Sequence, residues 1–125
     1  MFSQAWNIYL PIIQILLKRS AGADQTLDMN RTDFERAAGG RKAKLTFSIS
    51  LYKGRLQHNS IAPPPVAREL ATILQEDEVT RRLIREYDFE FSMNTSFQLT
   101  IKNITAPAEI TEDAGNNEEN SDTPA

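Results

Sequence analysis

The chain of 125 residues contains no cysteine and a single histidine, His58. The absence of cysteine excludes disulfide bonds, thiolate catalysis and Cys-ligated zinc or iron–sulfur sites. One histidine cannot form a His-rich metal site or a pair of catalytic histidines. The sequence therefore predicts no metal and no cofactor, and it leaves carboxylates as the main candidate catalytic groups.

Asp88 and Glu90 are the closest match to a catalytic carboxylate pair, because alternate residues of a strand lie on one face. Lys44 or Lys102 would neutralise them as ordinary surface charges, which is the simpler interpretation. The acidic residues 76–78 are consecutive, so they point in different directions from a helix start. We therefore predict a non-catalytic protein without catalytic residues.

The chain also lacks an apolar run of the about 20 residues that span a bilayer. The apolar stretch IYLPIIQILL is followed by Lys18 and Arg19, and no basic residue precedes it. This order is the reverse of a secretory signal peptide. The sequence therefore predicts a cytoplasmic protein with no membrane partner.

Basic and acidic residues are unevenly distributed along the chain. All 14 Lys and Arg lie between Lys18 and Lys102, whereas six of the 17 Asp and Glu lie beyond residue 105. Residues 1–105 therefore carry a formal charge of +3 and the remainder −6. We predict a single domain over 1–105 and a disordered acidic tail over 106–125. A mildly basic domain is compatible with an anionic partner, for which the tail could compete.

Hydrophobic periodicity predicts three helical regions. The first helix covers about residues 3–19, and after a loop Asn30 caps a short second helix. The proline-initiated region 62–87 carries two apolar stripes that are out of phase with each other. It is predicted as two helical pieces, or one bent helix, broken at residues 75–77 with Asp77 as an N-cap.

Alternating patterns predict two hairpins. Apolar residues alternate from Lys44 to Leu51, and the turn YKGR leads into a weaker strand around LQHNSI. The segments YDFEFSM, NTS and FQLTIKN predict a second strand, turn and strand. The order helix, hairpin, helix, hairpin predicts an α+β fold, with a mostly antiparallel sheet of about four strands and helices packed on one face.

The first predicted helix is apolar over most of its circumference, so it needs cover on nearly every side. The surplus apolar surface predicts a homo-oligomer, most simply a dimer. Its predicted interface consists of Trp6, Tyr9, Leu10, Ile12, Ile13 and Leu16. The alternative is that this helix occupies the centre of its own domain.

The stretch ERAAGGRKAKLTFSIS places Gly39 and Gly40 beside basic residues. A phosphate-binding loop runs from a strand through glycines to a helix N-terminus. Here a helix precedes the glycines and a strand follows, so we interpret one of them as the residue that ends the helix. The basic residues near this strand remain candidates for nucleic-acid phosphate contacts, namely Arg41, Lys42, Lys44, Lys53 and Arg55.

The segment VARELATILQEDEVTRRLIREY and the hairpin after it resemble a helix-turn-helix with a wing. The resemblance covers about 37 residues. It implies that Arg81, Arg82 and Arg85 lie on a recognition helix that contacts nucleic acid. The alternative is a solvated arginine face whose spacing from Glu78 and Glu86 suits helical ion pairs.

These patterns together predict a small non-catalytic binding module, with DNA or RNA phosphates as the possible partner of its basic surface. Base stacking on the sheet is not expected, because alternation places Phe47, Phe89, Phe91 and Phe97 on the apolar face. The alternative function is a protein–protein adaptor, or a structural subunit of a homo- or hetero-oligomer, without nucleic-acid binding.

Overall fold

The computed structural model describes residues 2–57 and 62–106. His58, the second half of the predicted weak strand and the predicted acidic tail beyond Ala106 lie outside these residues. The described part contains four helices and five strands. Their order is α1 (Ser3–Arg19), β1 (Gln25–Asp28), α2 (Arg31–Ala37), β2 (Phe47–Tyr52), β3 (Arg55–Gln57), α3 (Pro65–Glu76), α4 (Glu78–Glu86), β4 (Phe89–Met93) and β5 (Gln98–Asn103).

The strands form one sheet in the order β1-β5-β4-β2-β3, and each of these pairings is antiparallel. The predicted α+β class is confirmed, but the strand count is five instead of about four. The additional strand is β1, in a segment for which the sequence pattern predicted neither a helix nor a strand. Because β1 has only four residues and one apolar side chain, Leu27, its alternation is too short to recognise without its partner β5.

The two faces of the sheet differ in chemistry. The inner face carries cross-strand rows such as Ile49, Phe91 and Ile101, which are buried beneath the helices. The four phenylalanines predicted to face the apolar side are all buried. The outer face carries a row of hydroxyl side chains across four strands, formed by Ser48, Ser92, Thr100 and Thr26. Because the helices cover the inner face of the sheet, this polar outer face meets solvent.

Helix α1 lies in the middle of the helix layer, where it contacts α2, α3 and α4 as well as β1 and β5. It runs through the exposed Pro11 as a single helix. Trp6 is fully buried, and its Nε1 donates a hydrogen bond to the Val66 carbonyl at 2.9 Å. Its ring meets that of Phe34 edge to face, with centroids 4.8 Å apart. The central position of α1 explains its broad apolar surface.

Tyr9 ties α1 to the start of α2. Its hydroxyl donates to the Asp33 carboxylate at 2.8 Å and accepts from the Asn30 amide at 2.8 Å. Burial raises the pKa of the Tyr9 hydroxyl above its ordinary value, so the neutral form that makes both bonds is favoured. Asn30 caps α2 through its own side chain, which accepts from the Thr32 amide, as its position in the sequence predicts.

Asp77 separates α3 from α4, at the predicted position. Its carboxylate accepts hydrogen bonds from the Thr80 amide at 3.0 Å and from Gln14 Nε2 of α1 at 2.9 Å. The bond from the Thr80 amide outweighs the opposing effect of burial and, with the bond from Gln14, holds the pKa of Asp77 below its ordinary value. One carboxylate therefore caps α4 and joins it to α1.

The α3–α4 pair does not have the geometry of a winged helix-turn-helix. A single residue, Asp77, joins the helices, whereas that motif uses a turn of about three to four residues. The β4–β5 hairpin that would serve as a wing lies in the interior of the sheet, paired with β2 and β1. The helices and the hairpin are therefore parts of one core.

Candidate anion-binding surface

The glycine pair ends α2, as predicted from the element order. Gly39 and Gly40 have φ values of 71° and 78°, in the left-handed region that favours glycine. Their amides donate to the carbonyls of Arg36 at 3.0 Å and Glu35 at 3.2 Å. The two glycines thus donate hydrogen bonds to the last carbonyls of α2, and the chain turns there into the loop before β2.

This loop forms one wall of an open cleft of about 720 Å³, which we call the basic cleft. The lining residues are Arg31, Glu35, Ala38, Gly40, Arg41, Lys42, Ala43, Lys44 and Leu45. Four of these side chains are basic and one is acidic. Arg41, Lys42 and Lys44 are exposed, and no carboxylate in the described ranges forms an ion pair with them. The cleft therefore carries a net positive charge.

Arg31 belongs to the basic cleft, although the sequence pattern does not identify it as a site residue. Its Nη2 donates to the Thr95 carbonyl in the β4–β5 turn at 2.9 Å. Its guanidinium carbon lies 5.4 Å from the centroid of the Phe97 ring. These contacts fix the guanidinium at the edge of the cleft. They join residues more than 60 positions apart, so no local pattern reveals them.

Lys53 and Arg55 lie at the opposite end of β2 from the basic cleft, in and after the β2–β3 turn. The Lys53 ammonium donates to the Glu86 carbonyl at 2.8 Å and lies 3.9 Å from an Asp88 oxygen. Lys53 is thus engaged within the fold. Arg55 is exposed and lies directly opposite Tyr52 in the strand register.

Arg81, Arg82 and Arg85 lie on the exposed side of α4. Arg82 forms an ion pair with Glu78 at 3.1 Å, as the spacing of four residues predicts. Because α4 packs on the inner side of the sheet, these arginines belong to the helix layer, whereas Arg55 lies on the outer face. The loop cations thus line the basic cleft, whereas Lys53 lies beside the C-terminal end of α4, and Arg85 of α4 approaches Gly54 in the same turn.

The six residues of the predicted oligomer interface differ in how much of each side chain is exposed. Trp6, Ile13 and Leu16 are buried in the core of the chain itself, so they are not available to a partner. Tyr9 and Leu10 are half-buried. Of the six residues, only Ile12 is exposed, because a helical pattern that is apolar all round does not show which side meets the core.

The exposed apolar surface of α1 consists of Ile8, Ile12 and Ile15, whose side chains are 57%, 42% and 51% exposed. Spacings of four and three residues place them on one side of the helix. We call these three residues the isoleucine stripe. Of these three isoleucines, only Ile12 belongs to the interface predicted from the sequence.

Comparisons with protein-family models, with curated proteins and with solved structures find no match. Within the described ranges, no group of three or more His, Cys, Asp and Glu side chains is placed to hold a metal ion. The helices described here also lack the length and apolar character that crossing a membrane requires. The geometry and charge of the basic cleft are therefore the features of the chain that bear most directly on its function.

Proposed function

We propose that the protein is a small non-catalytic binding module that binds nucleic-acid phosphates in its basic cleft. The observation that supports this proposal is the concentration of four basic side chains and one carboxylate around a single open cavity. Basic side chains that have no internal ion-pair partner can neutralise phosphates and release their counterions. This makes the cleft a better candidate than the arginines of α4, where Arg82 already pairs with Glu78.

Arg31 and the loop residues would contribute to binding in different ways. The guanidinium of Arg31 is already held by Thr95 and Phe97, so little side-chain entropy is lost when it meets a phosphate. Arg41, Lys42 and Lys44 are exposed and can adjust to the ligand. Contacts of this kind hold the backbone of a nucleic acid, depend strongly on salt and carry little sequence information.

The carboxylates also support a binding role. Among the residues that the structure describes, Glu35 is the only carboxylate that lines the cleft. Asp88, the first member of the candidate catalytic pair, accepts a hydrogen bond from the Lys53 amide at 2.9 Å. Glu90, the second member, approaches the Ser48 hydroxyl at 3.5 Å on the outer face of the sheet. Neither belongs to the cleft, so the predicted carboxylate pair and the basic side chains do not form one site.

Replacing Arg41, Lys42 and Lys44 with glutamine tests the proposal. We expect the affinity for fluorescein-labelled oligothymidine at low salt to fall about tenfold. The salt dependence should also weaken by about 2 in the log–log slope, because each phosphate contact on a single strand contributes about 0.7. Fluorescence anisotropy across a salt series measures both quantities.

The matched control replaces Arg81, Arg82 and Arg85 of α4 with glutamine, which removes the same charge from the helix layer. This variant should keep most of its affinity. An equal loss in both variants would show that binding depends on total charge instead of the cleft. The proposal fails if the wild-type chain does not bind at low salt even after residues 107–125 are removed.

A second candidate function is self-association, supported by the isoleucine stripe on α1. Three neighbouring exposed isoleucines on one helix side form the kind of apolar surface that a protein partner covers. The simplest partner is a second copy of the chain, with the two stripes packed across a twofold axis.

Sedimentation equilibrium tests self-association by comparing the wild type with an Ile8→Ser, Ile12→Ser, Ile15→Ser variant. We expect a dimer for the wild type and a folded monomer for the variant, because exposed substitutions change stability by only about 0.5 kcal/mol each. Val79→Ser is the control, since Val79 is 40% exposed on α4 but lies outside the stripe. A monomeric wild type at all concentrations would exclude this function.

A further inference from the structure

We propose that Tyr52 and Arg55 form a second contact site for the same ligand, at which a base of single-stranded nucleic acid stacks on the Tyr52 ring. This inference rests on the proposed function and specifies its ligand as a single strand instead of a duplex. It assigns a role to the end of β2 that lies farthest from the basic cleft.

Base stacking on the sheet was not expected because the four phenylalanines face inwards, but alternation places the aromatic side chain of Tyr52 on the outer face. Phe47, Ile49 and Leu51 of the same strand are buried on the inner face, whereas Tyr52 is 41% exposed. Arg55 lies directly opposite it on β3 and is also exposed. An aromatic ring next to a guanidinium offers both a stacking surface for a base and a cation for the adjoining phosphate.

Three hydrogen bonds hold the turn between Tyr52 and Arg55 in place. The Lys53 amide donates to the Asp88 carboxylate at 2.9 Å, and its ammonium donates to the Glu86 carbonyl at 2.8 Å. Gln75 of α3 donates to the Gly54 carbonyl. A turn that is already ordered loses little entropy on binding, so a single aromatic contact can contribute measurably to affinity.

Strand β2 runs from the loop that lines the basic cleft to Tyr52. Its six residues span roughly 17–20 Å, and Ser48 and Ser50 lie between the basic cleft and Tyr52. Glu90 lies opposite Ser50 and approaches the Ser48 hydroxyl, so phosphates are disfavoured over the middle of this path. A strand bound here would place phosphates at the two basic ends and bases above the serines. Paired bases of a duplex are already stacked on each other and cannot stack on Tyr52.

Two substitutions at Tyr52 test this inference on the full-length chain. Tyr52→Ala is expected to weaken binding of labelled oligothymidine about tenfold without changing the salt dependence, because stacking releases no counterions. Tyr52→Phe keeps the ring and should bind as the wild type does. Affinity for a labelled duplex should be the same in all three proteins. Thermal unfolding followed by circular dichroism checks that each variant is folded.

The outcomes separate this inference from the proposed function. If the Arg41, Lys42 and Lys44 variant loses affinity while Tyr52→Ala binds as the wild type does, the stacking site is refuted and the cleft stands. Stacking is also refuted if Tyr52→Ala loses as much affinity for the duplex as for the single strand. It is refuted as well if Tyr52→Phe loses as much affinity for the single strand as Tyr52→Ala does. A wild-type chain that binds neither form of nucleic acid overturns both proposals.

Discussion

Replacing Trp6 with alanine is expected to lower the free energy of unfolding by about 3–5 kcal/mol, the usual cost of removing a buried tryptophan. The Trp6 ring has no exposed surface and packs edge to face against Phe34 and Phe47, at centroid distances of 4.8 and 6.3 Å. The substitution leaves a cavity between α1 and the sheet, and it removes the hydrogen-bond donor of the Val66 carbonyl. The total free energy of unfolding of a small domain is only about 5–15 kcal/mol, so this loss is a large fraction of it.

Urea unfolding followed by far-ultraviolet circular dichroism measures this effect without requiring tryptophan fluorescence. Ile12→Ala is the matched control, because Ile12 lies on the same helix but is 42% exposed. We expect it to cost about 0.5 kcal/mol or less. A Trp6→Ala loss below about 1 kcal/mol would contradict the central role of α1 in the core.

Removing residues 107–125 is expected to raise the affinity for single-stranded nucleic acid at low salt by about ten- to hundredfold. The removal takes away six carboxylates and changes the formal charge of the chain from −3 to +3. A polyanionic ligand is then attracted to the chain instead of being repelled by it. The gain should shrink as salt rises, because the Debye length falls from about 30 Å at 0.01 M to about 8 Å at 0.15 M.

Anisotropy titrations of the full and shortened chains at several salt concentrations check this prediction. The control is a full-length variant in which the six carboxylates beyond residue 105 are replaced with the corresponding amides. It should bind as tightly as the shortened chain if charge is the cause. An affinity that stays the same after both changes would show that these residues do not oppose binding.

Local sequence patterns predicted most of the fold because its elements have strong local signals. Asn30, Asp77 and the glycine pair mark helix ends by their own side-chain or backbone chemistry, and each lies where the pattern places it. Strand β1 was not predicted, because its extended conformation depends on hydrogen bonds to β5. This four-residue edge strand is held by its pairing with residues 98–101, which lie 70 to 76 positions away.

The candidate site was predictable only in part, for the same physical reason. The loop cations are adjacent in sequence, so their grouping was visible, whereas Arg31 joins them through a turn 64 residues away. The position of Tyr52 was predictable from the sequence, because alternation from the buried Phe47 places Tyr52 on the outer face. The side of α1 that meets the core could not be read from its composition, since isoleucines and leucines cover almost every direction.

The pairing of β1 with β5 has a consequence for how the protein is made. Helix α1 and β1 are synthesised well before their partners, because Val66, whose carbonyl accepts from Trp6, follows Trp6 by 60 positions and Ile101 follows Gln25 by 76. Domains complete their folding only when their distant segments are available. Helix α1 can therefore pack early against β1 and α2, but its contacts with β5 form only after residues 98–103 have been synthesised.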